Sequence, residues 1–208
     1  TVLAGGTLQI TNDIALGSPT NGITFTGGTL AAFNNGAPDN TPVTVSSSRT
    51  ITVNSGKTAN FKTPDTNNLI VAAYITGAGY VNRSSTSYSL GTVRFGNDTN
   101  DFTGTFTVGY GNTEFTSVAN SGTPSSLGAG ITNSGAIVLG NFNSVGTLRY
   151  VGTNSSATTR PLNWTATTGG FALDVTSTGT IAYLTTATLK SGSGSAGLTL
   201  QGSNTGTN

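Results

Sequence analysis

Cleaving a glycosidic bond needs two carboxyl groups at a defined separation. The acidic residues of this chain are Asp13, Asp39, Asp65, Asp98, Asp101, Glu114 and Asp174, and Asp98 and Asp101 are the sole close pair. They stand in Gly96–Asp101 (GNDTND), where Asn and Asp side chains satisfy backbone groups and tolerate left-handed conformations. The pair therefore reads as a turn before it reads as a calcium site or a catalytic dyad. A nonapeptide calcium solenoid would repeat Gly-Gly-x-Gly-x-Asp, and the sequence has no copy. With no His, the usual His-based acid–base and nucleophile systems are excluded. A Ser-Lys system stays formally open, but nothing sets Lys57, Lys62 or Lys190 beside a particular Ser. No catalytic, metal or cofactor residue is assigned.

Binding chemistry has two candidates. Arg94 and Arg149 take the same polar position of a recurring strand motif and could form a basic patch for an acidic sugar. The plainer reading is a solvated face of stacked polar side chains. Trp164, with Tyr150 and Tyr183, could make a stacking platform for carbohydrate, although aromatic residues on alternating strands are more often core. Asn82, Asn97, Asn154 and Asn163 each open an Asn-x-Ser/Thr sequon, a glycan acceptor only in a eukaryotic secreted protein.

Only 7% of the 208 residues are charged and 34% are apolar, with a net charge of +1. An average soluble domain is about 25% charged. The eight basic residues are scattered with no two adjacent, which argues against a nucleic-acid or polybasic membrane partner. No apolar run approaches the roughly 18–20 residues of a membrane-spanning helix. Absence of Cys removes disulfides and thiolate metal sites. Thr1 shows neither a start Met nor a signal peptide, so the chain reads as processed or cut from something longer.

The elements that would position these residues are strands. Gly and Pro interrupt every helical window, and the best helical stretch, Leu69–Tyr74 (LIVAAY), is short and reads as a buried strand. Period-2 segments abound: Ile23-Thr24-Phe25, Val43-Thr44-Val45, Phe106-Thr107-Val108 and Leu198-Thr199-Leu200 are examples. A Gly-Thr signature opens many of them: Gly6–Ile10, Gly28–Ala32, Gly91–Phe95, Gly104–Val108, Gly146–Tyr150 and Gly179–Tyr183. Arg49–Val53 matches without the glycine. Thr7, Thr29 and Thr50 are 22 and 21 residues apart, and Thr92 follows Thr50 by 42. Such a period marks a solenoid, whose coils bury their apolar side chains only by stacking. The expectation is an all-β parallel β-helix of roughly nine or ten coils, over residues 1–208 as one segment. The segments Pro38–Pro42 and Ser191–Gly197 read as loops bulging from coils. The rival is an antiparallel β-sandwich. In the solenoid, Leu8, Leu30, Ile51, Val93, Leu148 and Ile181 point inward, while Gln9, Thr52, Arg94 and Arg149 face solvent. The Gly-Thr strands stack on one another, with glycine permitting a positive-φ turn before each.

Several stretches resemble the autotransporter-associated β-strand repeats, the passenger repeats of Gram-negative surface proteins. Thr1–Ile10 (TVLAGGTLQI) is similar to the second half of that element, and Asn100–Val108 (NDFTGTFTV) to its Asn-x-aromatic-x-Gly half. Gly146–Gly152 (GTLRYVG) and Leu198–Asn204 (LTLQGSN) are similar to the sequence between elements. Asn54–Ser89 carries no such motif. The resemblance implies a right-handed parallel β-helix exported to the cell surface, with a structural or adhesive role.

The functional expectation is a non-enzymatic extracellular structural or adhesive segment. A carbohydrate-binding or tailspike-like recognition module is the alternative, and a polysaccharide-degrading enzyme comes third. Both ends read as open coils, because an uncapped coil exposes unpaired backbone groups. The expected partner is therefore more of the same chain or an identical copy stacked end to end, with surface carbohydrate as a further candidate. Neither nucleic acid nor membrane insertion of this segment is expected.

Overall fold

In the computed structural model the described residues are 1–33, 41–64, 67–83, 91–142, 146–166, 169–184 and 196–203. The chain winds through three faces in turn. The first face stacks Val2–Leu3, Ile23–Phe25, Thr50–Val53 and Tyr74–Thr76. The second stacks seven strands: Thr7–Ile10, Thr29–Ala32, Thr58–Lys62, Tyr80–Arg83, Phe106–Val108, Ile137–Phe142 and Leu162–Ala166. The third also stacks seven: Val43–Val45, Asn68–Val71, Thr92–Phe95, Gly111–Phe115, Gly146–Tyr150, Gly169–Val175 and Ala196–Gly202. A short pair, Ser156–Thr158 and Ile181–Tyr183, follows third-face strands in chain order. Every ladder among the described residues is parallel. The fold is a parallel β-solenoid of about seven turns, and the sandwich is excluded.

The coil count corrects the expected nine or ten, and the reason lies in the register. Thr7 does pair with Thr29, but Thr29 pairs next with Asn60. Thr50 belongs to the first face, where it pairs with Tyr74. The apparent 21-residue step thus ran from one face to another. True coils are longer on average and unequal, because corner loops differ. On the third face Val93 lies against Thr113, 20 residues on, and Thr113 against Leu148, 35 on.

The Gly-Thr strands accordingly do not form one sheet. They are dealt over the second face, the third face and the short pair, while the glycine-less Arg49–Val53 lies on the first, and the glycine serves two purposes. Gly6 and Gly28 have φ of +67° and +87°, the turn geometry expected. Gly91 and Gly104 are not among the positive-φ glycines. There a Cβ would lie 1.9 Å from the Asn67 carbonyl oxygen and 2.1 Å from that of Gly79, so glycine lets adjacent coils touch.

Alternation did fix the inward face. Leu30, Ile51, Val93, Leu148 and Ile181 are buried, and Leu8 in the first coil is half-buried against the core. Gln9 is exposed, and Thr52, Arg94 and Arg149 are half-buried. Phenylalanines from different faces meet along the axis: Phe25–Phe61, Phe61–Phe95 and Phe95–Phe106 have ring centroids 5.6, 5.4 and 5.0 Å apart. Such tilted and edge-on pairs add about 0.5–1.5 kcal/mol each beyond burial. Leu69–Tyr74 is strand rather than helix for its first half, ending at Val71, and turns a corner at residues 72–73 before the next strand starts at Tyr74. The described helical residues form two single 3-10 turns, Asp13–Leu16 and Thr132–Gly135. No described helix is long and apolar enough to cross a membrane. The expected loops Pro38–Pro42 and Ser191–Gly197 fall mostly outside the described residues; Ala196 and Gly197 belong to the last strand.

Candidate functional site: a charged row on the third face

Strands of the third face send every second residue outward. Parallel in-register pairing puts those outward residues in rows across the coils. One row runs Thr44, Ile70, Arg94, Glu114, Arg149, Asp174, Gln201. Four successive members alternate in sign. The Arg94 Nε donates to Glu114 Oε2 at 2.7 Å, and the Arg149 Nε to Asp174 Oδ2 at 2.7 Å. The Arg149 Nη1 lies 3.7 Å from Glu114 Oε1, and the Gln201 amide donates to Asp174 Oδ2 at 3.3 Å. Side-chain exposure is 41% at Arg94 and 28% at Arg149, against 13% and 4% at Glu114 and Asp174.

Arg94 and Arg149 are therefore on one face, as their shared motif position suggested, but not as a basic patch. Glu114 stands between them and joins them. Sequence reasoning did not bring in Glu114 or Asp174, although a signal was there. Each charged residue immediately precedes the last strand residue, in Arg94-Phe95, Glu114-Phe115, Arg149-Tyr150 and Asp174-Val175.

At the Arg94 end the row opens onto a recess of about 220 Å³ lined by Pro42, Asn68, Ile70, Thr92, Arg94 and Glu114 among others. The Thr92 backbone N–H donates to Asn68 Oδ1 at 3.2 Å, which fixes the amide at its rim.

Trp164 lies elsewhere. It is 7% exposed, pairs with Leu139 on the second face and belongs to the core. Tyr150 is wholly buried, packs on Phe115 and donates its hydroxyl to the Asn154 carbonyl. Tyr183 is half-buried against the core. These three rings form no exposed platform.

Asp98 and Asp101 have separate surroundings. Asn97 Oδ1 accepts from the Thr99 N–H and hydroxyl, the geometry of an Asx turn. Asp98 Oδ1 accepts from the Thr116 and Ser117 hydroxyls at 2.6 and 2.7 Å. Asp101 faces Tyr74: a bond with Thr76 pulls the Tyr74 hydroxyl's pKa down, but bonding to Asp101 and burial outweigh it and leave it raised. No group of three or more His, Cys, Asp or Glu that could hold a metal occurs among the described residues.

The remaining arginines are inside. Arg49 is buried and donates to both Asp13 carboxylate oxygens and to the carbonyls of Asp13, Gly17, Ser18 and Asn21. Arg160 is buried and donates to the carbonyls of Leu127, Gly128 and Gly135. Arg83 is buried and donates to Thr63 Oγ1 and the Gly91 carbonyl. Burial lowers the pKa of Arg83 and of Arg160 to about 10, so both stay charged at neutral pH.

No family model, curated protein or solved structure matches the chain.

Proposed function

We propose that this chain is a length of extracellular rod, a non-enzymatic β-solenoid segment with a structural or adhesive role. The observation that carries the reading is where the charge goes. Every arginine bonds across coils: Arg94 and Arg149 tie third-face strands together, while Arg49, Arg83 and Arg160 staple corners to neighbouring loops. A chain that commits its arginines to cohesion between coils is suited to bearing length. The resemblance to passenger repeats supports the surface of a Gram-negative bacterium as its place. Its partners would be further coils of the same polypeptide or an identical copy stacked end to end. Such head-to-tail contacts extend without closing.

Small-angle scattering of the 208-residue chain and of a two-copy tandem fusion tests this. At about 4.8 Å per coil, about seven turns rise roughly 34 Å, and the longest dimension should grow by about that much with the second copy. A fusion that gains mass without length sinks the rod. The enzymatic alternative is met by incubating the chain with a polysaccharide panel and assaying reducing ends. Turnover lost on Asp98→Ala or Asp101→Ala would reinstate it. Recognition of carbohydrate is a second reading, favoured by the recess beside Arg94.

A further inference from the structure

We propose that the recess at the Arg94 end of the charged row binds a single acidic sugar residue through its carboxylate. The inference deepens the adhesive part of the reading above.

The row is neutral as a set but polar as a line. Its signs run plus, minus, plus, minus from Arg94 to Asp174, so the positive end abuts the recess. Beyond Arg94 the next outward residues, Ile70 and Thr44, carry no charge to cancel it. Glu114 lines the same recess, but its two oxygens face Arg94 Nε at 2.7 Å and Arg149 Nη1 at 3.7 Å, so its charge is already answered.

Arg94 is also pre-aimed. Its Nε is held by Glu114, while its two terminal nitrogens have no hydrogen-bond partner among the described residues. A guanidinium anchored at one edge and open at the other offers a planar fork that matches a carboxylate. The other walls suit a sugar ring better than a bare anion. Ile70 is the half-buried apolar member of an otherwise polar row, and Pro42 lies beside it. Together they can take the C–H face of a pyranose. Asn68, its Oδ1 already bonded to the Thr92 N–H, keeps its amide nitrogen for a ring hydroxyl. The volume, about 220 Å³, falls below the roughly 300–1,000 Å³ of drug-sized sites. It fits one ring rather than a chain.

The test is an NMR titration of the full 208-residue chain with a glucuronate oligosaccharide, the matching neutral glucan and sodium acetate. The glucuronate should shift the backbone amides of Asn68, Ile70 and Thr92 and the Arg94 side-chain N–H, with affinity falling as salt rises. Arg94→Gln should weaken binding at least tenfold, and Arg94→Lys should fall between it and the native chain. Lys57→Gln, which removes an exposed cation outside the row, should stay within twofold. Retained spectra of the variants certify that they fold. Three outcomes overturn the proposal: equal binding of the neutral glucan, no loss on Arg94→Gln, or acetate binding as tightly as the glucuronate. The scattering measurement is independent of these results. A rod that ignores glucuronate removes only this site, whereas binding by a chain that is not a rod removes only the rod.

Discussion

Two corners of the solenoid solve the same problem differently. At residues 13–21 and again at 117–135 the chain leaves its sheets, makes a 3-10 turn, and exposes backbone carbonyls to the interior. In each case an arginine one or two residues ahead of a strand in a later coil reaches back to collect them. Arg49 takes four carbonyls and the Asp13 carboxylate. Among the described residues Arg160 takes three carbonyls and no carboxylate, and its Nη2 has no hydrogen-bond partner. The first corner is neutral as a unit, whereas the second holds a buried cation on dipoles alone. A buried charge needs both a counter-charge and full hydrogen bonding to be cheap. The N-terminal corner should therefore depend on its arginine being an arginine, and the middle corner much less so.

Arg49→Met should break the comparison hardest. It leaves the mostly buried Asp13 carboxylate without its cation and several carbonyls without donors, a loss of about 3–5 kcal/mol. Urea unfolding with hydrogen exchange over residues 13–21 checks it. Arg160→Met should cost less, about 1–2 kcal/mol, because removing the buried cation offsets part of the lost hydrogen bonding. Exchange should quicken at residues 127–135 only. Equal losses at the two corners would mean the carboxylate is not what separates them.

The pH dependence sharpens the same contrast. Burial pushes the Asp13 carboxyl up, but the Arg49 side chain and the Ser46 N–H outweigh it and hold it below its ordinary value of 3.8. A depressed carboxyl stabilises the fold above its unfolded value and loses that contribution as pH falls through the folded one. The 13–21 corner should loosen below pH 3.8, and Asp13→Asn should flatten that limb in circular-dichroism melts. Arg160 runs the other way. Its pKa is lowered to about 10 by burial, so charging it opposes folding at neutral pH. That opposition should ease as pH rises through about 10 in the native chain relative to Arg160→Met.

The smallest effect belongs to the exposed row. Arg94→Gln breaks a half-exposed ion pair, and such pairs contribute about 0.2–1 kcal/mol, less in high salt. A melting temperature indifferent to salt and to this substitution would leave the row with no part in cohesion.

Much of this was written locally. Alternation in Ile51-Thr52-Val53 or Val93-Arg94-Phe95 fixes which side chains enter the core, because a one-residue slip would turn all of them out. Low charge, frequent glycine and one recurrent strand motif pointed to stacked coils. Trp164 shows the limit of such reading. An aromatic residue on an alternating strand can face either way until the core is placed, and its strand turned it inward.

The sequence by itself determined the all-β class, the inward face of the strands that carry the recurring motif and the parallel solenoid, since all three follow from period-2 patterning and turn residues close in the chain. Only the tertiary structure decided which strand lies on which. That choice rests on corner loops of unequal length, so coil number, the dispersal of the Gly-Thr strands and the close contacts at Gly91 and Gly104 came with it. The charged row had the same origin. Arg94, Glu114, Arg149 and Asp174 are separated by tens of residues and became neighbours because parallel coils in register bring equivalent outward positions to one strand spacing.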